Sequence, residues 1–235
     1  MPQNIYPGIL DQEAGPGRAA QDATVDARAL GLNAAELARN LAWLPNTPSS
    51  RVLTERWRTL SRSLEPVLAS LQAPLRDQKV SDDFRWLHDH VNLLYSELRS
   101  TGDLLKTLRK LPHVRLPSGA VVPRVAALAE GMLAATEYRF SQEAFTCYVR
   151  SFQESSVLKI KELWALIPAM KLVLMERIAT CGPQLLANRE GSYGIGVCIR
   201  SIRDAGHTPW KEVIEPFLVE VIRSCKSPIS ADNVG

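Results

Sequence analysis

No CxxC pair, no basic tract, no sustained strand-like alternation and no uncharged apolar run of bilayer length occurs in these 235 residues, and each absence excludes something. The four cysteines, Cys147, Cys181, Cys198 and Cys225, are widely spaced, so buried free thiols in a reducing compartment are expected in place of a zinc site or a disulfide framework. Lys and Arg number 28 against 25 Asp and Glu, for a formal net charge of +3. Charges interspersed in this way do not build the concentrated positive face of a nucleic-acid binder, and none is expected as a partner. The densest basic group, Arg51, Arg56, Arg58 and Arg62, has Glu55 and Glu65 beside it and reads as a solvated helix face. MPQNIYPGILDQEAGPG, at the N-terminus, lacks a basic segment followed by an apolar run and does not resemble a secretory signal, so a cytoplasmic location is expected.

What is present is the composition of a soluble globular protein, 46% hydrophobic and 23% charged, in a chain long enough to bury a real core. Apolar residues recur at helical spacing. The first helix is expected from Asn33, an N-cap followed three residues later by Glu36, with Leu37, Leu41 and Leu44 on one face and a break at residues 45–50. Leu53, Trp57, Leu60, Leu64, Val67, Leu71 and Leu75 form a second stripe, with Pro66 and Pro74 as points of kinking or termination. Ser81, Asp82 and Asp83 suit a helix N-terminus, and Phe84, Leu87, Val91, Leu94 and Leu98 continue it as the antiparallel partner of the second helix. A short helical piece follows at residues 104–111.

LPHVRLPSGAVVP carries three prolines and a glycine and reads as a loop dividing the chain into two halves. Pro123 then suits the first turn of a helix presenting Val125, Leu128, Met132 and Leu133, and Phe145, Tyr148, Val149 and Phe152 form the next stripe. Thr208 and Pro209 open a last helix carrying Trp210, Val213, Ile214, Phe217, Val221 and Ile222. The expected architecture is therefore all-α, a multi-helix bundle: a flexible lead over 1–32, a helical half over 33–111, the Pro/Gly loop over 112–122, a second helical half over 123–225, and a tail or linker over 226–235.

KELWALIPAMKLVLMERIATC, residues 161–181, is apolar on nearly all sides between Leu163 and Met175, but a bilayer span needs about 20 such residues. Lys171, Glu162, Glu176 and Arg177 crowd it. Leu163, Leu166, Ile167, Met170 and Leu174 share one face while Ala165 and Leu172 lie opposite, the pattern of a central helix packed on several sides. Pro168 cannot donate its backbone hydrogen bond, which predicts a kink near Trp164.

Nothing in the sequence assembles a catalytic constellation. His88 and His90 point about 200° apart on a helix and cannot chelate one metal, and a surface or half-buried role is expected of them. His113 and His207 read as loop residues without a nucleophile and acid at motif spacing. GSYGIG, residues 191–196, lacks the order of a phosphate-binding loop and reads as a helix-breaking loop. Asp82 with Asp83, and Asp204 alone, do not make the acidic motif of a metal-dependent sugar-nucleotide transferase. No catalytic, cofactor or metal ligand is assigned.

One long segment does carry a family likeness. Pro123-Arg124-Val125 opens a helix, Tyr148-Val149 runs to Phe152-Gln153, and Glu162-Leu163-Trp164-Ala165 leads to Lys171 and Glu176; DDFRWLHDHVNLLYSELR and SIRDAGHTPWKEVIE, the latter with Trp210, flank them. In order and spacing these elements resemble the N-terminal cytosolic region of cyclic β-1,2-glucan synthases, over roughly Leu53 to Glu215. The chain departs from that pattern in the place of Pro168, in Lys171 where the family has arginine, and in Arg177 where it has asparagine. Such synthases are large inner-membrane proteins that polymerise glucose from UDP-glucose, cyclise the chain and carry a phosphorylase-like domain. Their catalytic modules lie downstream, so the resemblance implies a non-catalytic helical accessory domain or fragment at the cytosolic face of a bacterial inner membrane.

On that reading Pro123, Arg124, Gln153, Glu162, Trp164, Lys171, Glu176 and Trp210 are structural or interface residues. The implied partners are the other domains of the same polypeptide or a membrane glycosyltransferase, with glucan as a further candidate ligand and self-association through an exposed apolar patch. The alternative is a free-standing helical scaffold binding glucan or protein through Trp57, Trp86 or Trp164, although tryptophans at helical spacing are more often core.

Overall fold

The computed structural model describes residues 26–44, 51–71, 79–108, 110–210 and 213–219. The expected lead up to residue 25, the break at 45–50, Pro74, Val221, Ile222, Cys225 and the tail lie outside them. Mostly helical, as expected, the described chain contains α1 (Ala27–Asn40), α2 (Val52–Ala69), α3 (Asp82–Asp89), α4 (Val91–Thr107), α5 (Arg124–Ala135), α6 (Gln142–Ser155), α7 (Ile160–Ala187) and α8 (Ile195–His207). Helical residues 213–219 follow.

Local chemistry sets these boundaries. Asp26 caps α1, accepting from the N–H of Arg28 at 3.0 Å. The helix thus begins at Ala27, and Asn33, expected as its cap, lies inside it and instead accepts from the Tyr148 hydroxyl at 2.8 Å. Ser81 and Ser141 cap α3 and α6 through their hydroxyls, as N-cap serines do. The helix expected to run unbroken beyond Phe84 is divided at His90, whose ring stacks on Trp86 at 4.6 Å and whose Nδ1 bonds the Trp86 carbonyl oxygen at 2.9 Å. Residues 104–107, by contrast, continue α4.

A second departure lies in the Pro/Gly stretch read as a loop. It folds into β2 (His113–Arg115) and β3 (Val121–Pro123), and β1 (Ala42–Leu44) joins β2 to make a small antiparallel sheet ordered β1-β2-β3. Three-residue strands are too short to leave an alternation in the sequence. In β2, Val114 pairs with Trp43 on one side and Val122 on the other, and His113 with Leu44 and Pro123. Pro123 ends β3 and serves as N-cap of α5, one residue before the first turn predicted for it.

One apolar core runs through both halves, with α7 at its centre. Leu163, Leu166, Met170 and Leu174 on one face and Ala165 and Leu172 on the other are all buried; α2, α4, α5 and α8 supply the surrounding surfaces. α7 is helical through Pro168 and Pro183. α2 and α4 run antiparallel: Trp57, near the start of α2, donates its indole N–H to the Leu98 carbonyl at 2.9 Å and lies against Gly102 in the later turns of α4.

Candidate functional site

The family-like residues come together around α7 as three sets of charged links. At its N-terminus, Arg124 and Glu162 are almost wholly buried. The guanidinium Nε donates to Glu162 Oε1 at 2.8 Å while Nη2 reaches Oε2 at 2.5 Å. Arg124 also donates to Ser156 Oγ at 2.7 Å and to the Val157 carbonyl at 3.0 Å, and Glu162 Oε2 accepts the backbone N–H of Lys159 at 2.8 Å. Every strong donor and acceptor of the pair therefore has a partner, which is what makes burying it tolerable. The outer face of Arg124 stacks on the Trp43 ring, 4.7 Å from its centroid. Gln153, also buried, accepts from the Leu158 N–H at 3.4 Å and helps to shape the connection into α7.

Further along α7, Lys171 bonds Glu97 of α4 at 2.7 Å. Glu176 receives Arg56 of α2, whose Nε donates at 3.0 Å, while Arg56 Nη1 reaches Glu130 of α5 at 2.6 Å. Burial works against the Arg56 charge, but the two carboxylates more than offset it and hold the guanidinium above its ordinary value. Arg56 is accordingly no part of a solvated face, which corrects the reading of the arginine group. Nothing local could have revealed this, because its partners lie 74 and 120 residues away.

Several other sequence-predicted residues fall into place. Trp210 donates its indole N–H to the Ala205 carbonyl at 2.7 Å and packs edge-on to Phe145. Trp164, for which a core position was the default, is exposed. His113 is buried in β2, not in a loop, and burial lowers its pKa below the ordinary imidazole value; His207 is the last residue of α8. Residues 191–194 do break the helix between α7 and α8. There Asp83 accepts the backbone N–H groups of Tyr193 and Gly196, the latter at 2.8 Å, and so caps α8 from a different helix. Cys181 and Cys198 are free buried thiols, and burial pushes the Cys198 thiol up to about 12.

Two surface grooves flank these links. One, of about 680 Å³ between α2 and α7, is lined by Val52, Arg56, Thr59, Ser63, Glu176 and Thr180. The other, of about 660 Å³ between α2 and α4, holds Trp57, Ser61, Glu65, Tyr95, Arg99 and Asp103. Among the described residues, no three His, Cys, Asp or Glu side chains gather where they could hold a metal ion, and no helix is long and apolar enough to cross a membrane. The charged side chains of the three links are engaged with one another, so what these links do chemically is fix helices in place.

A stretch of 70 residues, 30% of the chain, is 43% identical to the cyclic beta-(1,2)-glucan synthase NdvB of Rhizobium meliloti (strain 1021). The match spans only 2% of that protein's length. No protein-family profile matches the chain. The chain thus contains a region related to part of a glucan synthase.

Proposed function

We propose that this chain is a non-catalytic helical accessory region of a cyclic β-1,2-glucan synthase-like glycosyltransferase. It packs against or organises the catalytic modules at the cytosolic face of a bacterial inner membrane. The observation that carries this reading is the 43% identity to the synthase over 70 residues. The ion-paired, α7-centred core supports it: Arg124, Glu162, Lys171 and Glu176 of the family-like segment are engaged in holding helices together. Deleting the coding sequence for these residues from the native gene should lower cellular cyclic glucan, and the chain should co-purify with the synthase activity. Unchanged glucan together with no association would sink the reading, and glucose transfer from UDP-glucose by the purified chain would overturn its non-catalytic character.

The groove holding Trp57, Tyr95, Glu65 and Asp103 favours a second reading, a glucan-binding module, because it sets aromatic rings beside carboxylates able to accept from sugar hydroxyls. Titrating tryptophan emission with β-1,2-glucan decides this; no change in the spectrum removes it.

A further inference from the structure

Among the described residues eight large apolar side chains are exposed, and four of them flank the entry to α7: Trp43 at 46%, Val157 at 45%, Ile160 at 46% and Trp164 at 49%. Arg124 ties the first two together, since it lies under the Trp43 ring and donates to the Val157 carbonyl. Ile160 and Trp164 are one helical turn apart and share a face of α7. Lys159, whose Nζ is 5.8 Å from the Trp43 ring centroid, and Lys161 are exposed beside them. No carboxylate occurs in β1 or in residues 155–161; of the two that adjoin that stretch, Glu162 is buried and neutralised by Arg124, and Glu154 is exposed on the last turn of α6.

We propose that this patch docks on an anionic lipid surface, with Trp43 and Trp164 at headgroup depth and Lys159 and Lys161 reaching the phosphates. The chemistry of the patch separates this occupant from the others. A second copy would bring the same face against itself and set lysine against lysine. Protein interfaces are enriched in tryptophan but depleted in lysine, whereas a membrane surface recruits the two together, the indoles at the interface and the ammonium groups on flexible stems. This deepens the membrane-face placement proposed above but rests on geometry independent of the glucan synthase likeness.

The test uses the purified full chain and vesicles of phosphatidylcholine, alone or mixed with phosphatidylglycerol. Binding is expected only with the anionic lipid, with a blue shift of tryptophan emission and weakening by salt. Lys159→Gln and Lys161→Gln should each weaken it about fivefold. Ile160→Glu, at an exposed position that leaves the helical circular dichroism unchanged, should lose at least as much. Failure to bind anionic vesicles, or binding that Ile160→Glu and both lysine variants leave unaltered, overturns the inference; an acidic protein partner would give the first of these outcomes. If vesicle binding fails while the chain still co-purifies with synthase activity, this inference falls and the accessory role stands. The reverse pattern preserves the docking face alone.

Discussion

Replacing Arg124 with methionine tests the buried pair directly. The substitution removes the guanidinium but keeps most of the side-chain volume, so the effect isolates charge and hydrogen bonding from cavity formation. Glu162 is then left in the core with only the Lys159 N–H as a charge-compensating donor, while Ser156 Oγ and the Val157 carbonyl lose theirs. Breaking a buried pair from one side costs about 3–5 kcal/mol. Set against a total stability of about 5–15 kcal/mol, that is a large fraction. For a chain of this size it corresponds to a fall in Tm of roughly 6–20 °C. Replacing both partners, Arg124→Met with Glu162→Leu, removes the charge and its counter-charge together and should recover most of the loss. Urea unfolding followed by circular dichroism gives the four free energies of the cycle. A loss below about 1 kcal/mol for Arg124→Met, or a double variant as unstable as the single one, would refute the account of the pair as a satisfied but vulnerable element.

Two further perturbations follow from packing and burial. A Cβ on Gly102 would lie 2.3 Å from Trp57 Cε2, so Gly102→Ala should overpack the α2–α4 contact by about 1–3 kcal/mol. This outweighs the gain of about 1 kcal/mol in helix propensity, and equal or higher stability in urea would contradict the close seat of the indole. His113, whose folded pKa is depressed by burial, resists protonation that the unfolded chain accepts below about pH 6.5. Its contribution is therefore present above that value and lost as pH falls from it toward the folded pKa; His113→Gln should flatten the drop in urea midpoint between about pH 7.5 and about pH 5.5, and an unchanged slope would remove His113 as its cause.

The parts of the fold that announce themselves in the sequence are those with many repeats of one period. α7 displays apolar residues on opposite faces over most of its length, and of the core positions read from that pattern Leu163, Leu166, Met170, Leu174, Ala165 and Leu172 are buried while Ile167 is half-buried against the core. The stripes of α2, α5 and α6 are equally legible, because each buried position repeats a neighbour three or four residues away. β1, β2 and β3 offer only three residues each, and their pairing joins Leu44 to His113 across most of the first half of the chain. No local rule contains that information. The ion pairs fail to show for the same reason: Arg56 sits among arginines that do face solvent, and only the folded chain brings it to Glu130 and Glu176. Of the site, the sequence likeness selected Arg124, Glu162, Lys171 and Glu176 as a set, but their partners Arg56, Glu97 and Glu130, and the exposed Trp43, emerge only in three dimensions.

The links themselves answer a problem that α7 poses. A helix apolar on nearly all sides gains about as much from one rotation as from another, because burial of apolar area is not directional. At about 100° per residue, Glu162 and Glu176 lie roughly 40° apart around the helix and Lys171 about 180° from Glu162. The charged links therefore grip α7 from opposite sides, toward α5 and α2 in one direction and α4 in the other. Rotating or sliding the helix by one residue would strand buried charges, a penalty that the apolar packing cannot repay. We read the links as setting the register of α7, on which the relative placement of α2, α4 and α5 depends. On this reading the Arg124→Met, Glu162→Leu variant, still gripped through Lys171 and Glu176, keeps a sharp amide spectrum, and adding Lys171→Met and Glu176→Leu broadens it into an ensemble of registers; a spectrum that stays as sharp as that of the wild type in the fourfold variant would leave apolar packing alone as the determinant of how α7 sits.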